Sequence, residues 1–212
     1  MQSAPLHMHL PNLASHSALP LWLGLAAAYA LGCFNTGYYL VRWKTGHDLR
    51  TLGSGNAGAR NTSRVLGPVG FGLTLLGDML KGASAVLGAR LLGWPPAACI
   101  LVLVAITAGH NWPVQLGFRG GKGLATSFGA LLVFDPFLAG LMLGLCTGLL
   151  AITRRFTLSA AAPYALCPAL ALGRGCDAPS AAFLAFAAAL VVGPHLRKLR
   201  DEFTPSSVIP PA

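Results

Sequence analysis

Seven apolar runs, cut apart by short segments rich in arginine, lysine and glycine, set what this 212-residue chain can become. They cover about residues 21–41, 68–92, 97–110, 124–134, 136–152, 157–172 and 180–194. A helix needs about 20 apolar residues to cross the hydrocarbon of a bilayer. Only helices and closed barrels satisfy their own backbone there. The 124–134 run stops at Asp135-Pro136, too soon for a full crossing. It predicts a half-helix or bent helix that begins at a glycine-rich loop, a discontinuity that membrane proteins use to build ligand sites. With 54% hydrophobic and only 10% charged residues, against about a quarter charged in soluble domains, the reading is an all-α integral membrane protein. One bundle spans residues 20–200, after a polar tail (1–19) without a basic signal region and before a C-terminal tail (201–212).

The charges orient the bundle. With seven crossing elements, twelve of the fifteen Lys and Arg residues fall on one side, Lys81 lies within a run, and Arg90 and Arg174 fall on the other side. By the positive-inside rule the N-terminus is outside and the C-terminus cytoplasmic. The formal net charge of +9 suits anionic headgroups and anionic substrates. It does not imply nucleic acid, because no soluble basic face remains. Cys33, Cys99, Cys146, Cys167 and Cys176 show no CxxC spacing and read as small core residues, with no metal site and no disulfide framework.

Four polar clusters converge on the inner side. The first is Gly53-Ser-Gly-Asn-Ala-Gly-Ala-Arg-Asn61, followed by Arg64. Gly53 to Gly58 matches GxGxxG, but a membrane helix precedes it where a dinucleotide fold needs a strand. What remains is a loop of small residues offering Ser54, Asn56, Asn61, Arg60 and Arg64 as donors. The second cluster is Gly109-His-Asn-Trp-Pro-Val-Gln-Leu-Gly-Phe-Arg-Gly-Gly-Lys-Gly-Leu-Ala-Thr126. Arg119 and Lys122 flank Gly120, Gly121 and Gly123, and Leu124 to Thr126 open a helix. Glycines that aim backbone N–H groups at one spot, beside cations and a helix N-terminus, suit an oxyanion, most simply a phosphate. The Walker A spacing is absent. The other two clusters are Thr157 with Ser159, and His195. Within the second run, Asp78 and Lys81 share a helical face. Charges there must pair or line a polar cavity, so Lys81 is either half of a structural pair or substrate-facing.

These stretches, with Arg64-Val-Leu-Gly and Asp78-Met-Leu-Lys-Gly82, resemble the bacterial acyl-phosphate:glycerol-3-phosphate acyltransferases, the PlsY family, over about residues 20–200. The resemblance implies a seven-helix enzyme of the bacterial inner membrane with its site facing the cytoplasm. It would move a fatty acyl group from acyl phosphate to the 1-hydroxyl of sn-glycerol 3-phosphate, without a cofactor. The products would be lysophosphatidic acid and phosphate, the first committed step of phospholipid biosynthesis. It carries over Ser54, Arg64, Lys122 and His195 as catalytic. Asn56, Asn61, Lys81, His110, Gly120, Gly121, Gly123, Thr126, Thr157 and Ser159 complete the substrate-binding set. Membrane lipids are its other partners.

Two positions depart from the family pattern. Arg60 stands where Thr is usual, and Lys198 stands where the third motif, opened by His195, has Asn. No carboxylate occupies a motif as general base. His110, His195 or the substrate phosphate itself remain as proton acceptors. A glycerol-phosphate-binding protein without catalysis, or a small-anion or lipid transporter on the same scaffold, are the other readings; the chain shows no second copy of its glycine loops to support the transporter.

Overall fold

A computed structural model of the chain describes the backbone of residues 18–203 and the side chains of residues 21–196. The N-terminal tail and the Lys198 position therefore lie outside the described side chains. Among the described residues there are eight α-helices and no strand. They are α1 (Ala18–Cys33), α2 (Thr36–Thr45), α3 (Ala59–Leu91), α4 (Pro96–Asn111), α5 (Leu124–Phe134), α6 (Pro136–Thr153), α7 (Phe156–Gly173) and α8 (Ala178–Phe203). By length and composition, α4 with the turn after it, α6, α7 and α8 are each apolar and long enough to cross a membrane. The expected short element is α5, with the ends predicted for it.

α4 is the centre of the bundle. Two-thirds of its span (67%) is buried, against 17% of α6. Leu73, Leu76, Leu80, Leu141, Leu143 and Leu166 are exposed on the outer faces of α3, α6 and α7, as a lipid-facing belt requires. Two crossings bring backbones into contact through paired glycines. A Cβ on Gly32 of α1 would stand 2.3 Å from the Ile106 carbonyl oxygen, and one on Gly109 of α4 would stand 2.1 Å from that of Tyr29. Where α3 crosses α5, a Cβ on Gly82 would stand 1.9 Å from the Thr126 oxygen, and one on Gly129 would stand 2.0 Å from that of Met79. Without a hydrophobic drive between helices in lipid, such close approach is what holds them together.

The structure corrects two boundaries. The first run is not one helix: the chain leaves helical conformation at Phe34-Asn35 and restarts at Thr36. Buried Asn35 bridges the gap, its Nδ2 donating to the carbonyls of Cys33 (3.2 Å) and His110 (3.3 Å). The second run extends back past Pro68 to Ala59. Proline disfavours the α conformation in the residue before it; here Gly67 takes φ 68° and ψ −164°, so the helix kinks and continues.

Candidate active site

The break between α1 and α2 is bound by charge. α1 ends in unmatched carbonyls and α2 begins with unmatched amides, so one end is partly negative and the other partly positive. Lys81 Nζ donates to the carbonyls of Phe34 (2.5 Å) and Gly32 (3.2 Å). Asp78 Oδ1 accepts from Thr36 Oγ1 (3.1 Å) and Thr36 N (3.4 Å) at the start of α2. The two side chains meet at 3.0 Å, both buried. Of the two readings of Lys81, the structure realises the pair: its ammonium is enclosed behind the cavity described next and does not line it.

Lys81 also reaches His110 Nδ1 at 2.8 Å. An ammonium only donates, so Nδ1 accepts and the ring proton sits on Nε2. That edge faces the glycine loop: a Cβ on Gly121 would fall 2.0 Å from Nε2, so glycine is required for the ring to lie there. His195 has the opposite polarity. Its Nδ1 lies 2.7 Å from the Val191 carbonyl, to which it donates. The two Nδ1 atoms thus play opposite roles, and both imidazoles line one cavity.

That cavity, about 130 Å³, opens at the end of the bundle where the four polar clusters meet. Ser54 and Asn56 line it from the first loop, Asn61 from the first turn of α3, Lys122 and Gly123 from the second loop, and Thr157 and His195 from α7 and α8. Three helix N-termini also reach it: Ala59 of α3, Leu124 of α5 and Phe156 of α7. None of the three has an acidic residue in its first turn or a side-chain cap. Each such end carries roughly half a positive charge. Three of them beside a lysine make an anion site in the same sense as a phosphate-binding helix terminus.

The glycine loop works differently from the expected ring of free amides. Gly120 N donates to the Asn111 carbonyl and Gly121 N to that of His110, each at 3.0 Å, so these amides serve the end of α4. Neither glycine lines the cavity. Their smallness lets the loop lie flat on α4, since a Cβ on Gly120 would stand 2.1 Å from the His110 oxygen. Gly123, at φ 75°, then turns the chain into α5 beside the cavity.

Other predicted residues also act at one remove. Asn61 spends its side chain on the first loop, accepting from Ser54 N (2.8 Å) and donating to the carbonyls of Leu52 (2.9 Å) and Leu49 (3.1 Å). Arg64 is exposed, and its stem lies against Gly53. Thr126 is fully buried in the α3–α5 crossing. Ser159 Oγ is bonded to the Arg155 carbonyl at 2.9 Å and lies 3.2 Å from Thr153 Oγ1. Neither Thr126 nor Ser159 lines the cavity.

Sequence reasoning named no residues for the second compartment. An apolar groove of about 350 Å³ runs between α3, α5, α6 and α7, past Met79, Phe128, Met142 and Tyr164. Leu75, Leu124, Ala125 and Phe156 line both spaces. The available signal was the small and apolar face of each run, which does not reveal which faces meet.

An anion cavity at the end of a membrane bundle, sharing a wall with an apolar groove, defines a multi-pass membrane protein built for amphipathic anions. The family model described as glycerol-3-phosphate acyltransferase matches residues 22–203, and the chain belongs to that family. Glycerol-3-phosphate acyltransferase 1 of Desulfitobacterium hafniense (strain Y51) is 44% identical over 183 residues, covering 86% of this chain and 91% of that protein. The enzyme of Desulforudis audaxviator (strain MP104C) is 41% identical over 159 residues, covering 74% and 79%. The crystal structure of PlsY, an integral membrane glycerol 3-phosphate acyltransferase, in its glycerol 3-phosphate form, superposes with a TM-score of 0.80 at 26% identity, over 86% of this chain and 92% of that one.

Proposed function

We propose that this protein transfers a fatty acyl group from acyl phosphate to the 1-hydroxyl of sn-glycerol 3-phosphate, giving lysophosphatidic acid and inorganic phosphate. The shared wall between the cationic cavity and the apolar groove carries the reading. Glycerol 3-phosphate is small and hydrophilic and needs only the cavity. Acyl phosphate joins an anion to a long chain and needs both spaces, with its carbonyl at the boundary. The PlsY neighbour's glycerol 3-phosphate form supports the acceptor.

In the reaction the 1-hydroxyl oxygen bonds to the acyl carbon, the bond from that carbon to the bridging phosphate oxygen breaks, and the hydroxyl proton leaves with the phosphate. Lys122 and the three helix N-termini hold the phosphates and the charge that develops on the leaving group. Ser54, on the loop that Asn61 braces, and Arg64 of α3 hold the acceptor. His110 donates through Nε2, and His195 lines the same cavity. Among the described residues, Asp78 is the one carboxylate lining the cavity, and it is committed to Lys81 and Thr36. The proton therefore passes to the substrate phosphate. Residues 20–200 act as one unit in a bacterial inner membrane, N-terminus outside and site facing the cytoplasm. The twelve inner Lys and Arg residues support that orientation.

The test is phosphate release by purified protein given palmitoyl phosphate and glycerol 3-phosphate, with Ser54→Ala and Lys122→Ala beside it. Acceptor-dependent release with lysophosphatidic acid formed, lost in both variants, is expected. Lysophosphatidic acid formed from palmitoyl-CoA, with the CoA thiol released, but not from palmitoyl phosphate would overturn the donor. Tight glycerol 3-phosphate binding without turnover would overturn catalysis.

A further inference from the structure

Arg60 occupies a place where local physics disfavours it. It is the second residue of α3, inside the positive end of the helix dipole. Arg64 stands one turn further on, a like-charge pair at i and i+4 that destabilises an isolated helix. A sequence that keeps such a conflict usually does so at a functional site. The two arginines also lean apart. Arg64 lies against Gly53 and the Ser54 loop. The Arg60 guanidinium carbon stands 4.4 Å from the centroid of the Phe156 ring. Arg60 and Phe156 both line the polar cavity, and Phe156 alone of the two also lines the apolar groove. Arg60 is thus the cation held at the boundary between the two spaces, parked on an aromatic face that orients its planar donors.

We infer that Arg60 is a specificity-determining residue for the acyl donor, gripping the phosphoryl group of acyl phosphate at the boundary while Arg64 serves the acceptor side. This rests on the donor proposed above. An acyl chain in the groove fixes its carboxyl end at the shared wall, so the phosphate attached to that end lies on the Arg60 side. Glycerol 3-phosphate has no chain to place it there. A guanidinium matches two phosphate oxygens at once, which a threonine at this position does not. The departure from the usual motif therefore strengthens the hold on the donor's head.

The experiment is steady-state kinetics on the full chain, varying each substrate in turn, for wild type, Arg60→Thr, Arg60→Lys and Phe156→Leu. Arg60→Thr installs the residue usual in relatives at a helix start, so folding is not at stake. A donor KM raised about ten- to hundredfold with the acceptor KM unmoved is expected, a range set by one charge-assisted contact. Arg60→Lys, which keeps the charge without the fork, should fall between, and Phe156→Leu should show a smaller rise of the same kind. The factor should be equal for decanoyl and palmitoyl phosphate, because the contact is with the head. A factor that grows with chain length would show that Arg60 merely packs the groove, and would overturn the inference. So would a rise in the acceptor KM, or no change in either. Wild type failing to use acyl phosphate at all would instead strike the donor reading on which this depends.

Discussion

Replacing Gly82 by alanine tests how the fold places the anion site. The new Cβ would stand 1.9 Å from the Thr126 carbonyl oxygen and 3.0 Å from Ala130 N. A carbon is comfortable against a carbonyl oxygen at about 3.3 Å, so α3 and α5 would have to part by roughly 1.4 Å. Both atoms met belong to backbone, so no side chain can swing aside. Alanine for glycine inside a helix should gain about 1 kcal/mol from propensity, while overpacking costs about 1–3 kcal/mol. A net loss of up to about 2 kcal/mol, lowering Tm by up to about 8 °C, is expected. Activity should fall further than stability suggests. Thr126 lies in the first turn of α5, directly after Lys122 and Gly123, and a shift of about 1 Å in positioning groups can remove about 100-fold in rate. The assay is thermal unfolding in detergent beside kcat/KM for acyl transfer, with Gly72→Ala as control. Gly72 lies on the same helix with open space where its Cβ would be, and should gain slightly in Tm and keep its activity. If Gly82→Ala matched Gly72→Ala in both measurements, the backbone contact would not be what holds α5 in place.

Three further outcomes follow from the same geometry. Lys81→Met should lower stability by about 3–5 kcal/mol by leaving Asp78 buried and unpaired, and adding Asp78→Asn should recover part of that loss; thermal unfolding of the three variants decides it. Asn61→Asp keeps the acceptor for Ser54 N but faces the Leu49 and Leu52 carbonyls with a carboxylate, so it should cost about 1–3 kcal/mol and most of the activity, read by unfolding and phosphate release. In the loop between α2 and α3 the hydrogen bonds from Arg50 hold the Asp48 carboxyl below the usual carboxylate range. A depressed pKa stabilises the fold above the unfolded value near ~3.9 and loses that effect as pH falls through the folded one. Asp48→Asn should therefore melt earlier than wild type at pH 7, with the gap closing below about pH 4.

The sequence made the apolar elements legible because hydrocarbon tolerates so few alternatives, and α5 could be bounded at both ends by Gly123 and Asp135-Pro136. The gathering of the loops was legible through their common charge. The break at Asn35 was not, because 21–41 is apolar throughout and a single asparagine is equally at home inside a packed helix. Nor was the placement of Lys81, since spacing gives its helical face but not which neighbour that face meets. The glycines of 120–121 misled for a related reason. Glycine serves a bound anion and a close backbone approach equally well, and only the positions of the His110 and Asn111 carbonyls separate the two. The pairing of Arg60 with Phe156 joins residues far apart in the chain and leaves no local trace.

The divided first apolar run bears on how the protein is made. On its own, α1 would enter hydrocarbon with the Gly32 and Phe34 carbonyls unmatched, and α3 would carry an ammonium and a carboxylate satisfied only by each other. Each is a poor solute for lipid until the other arrives, and together they match. α1 and α3 are therefore expected to leave the insertion machinery as one unit, with α1 held at its exit until α3 has been synthesised.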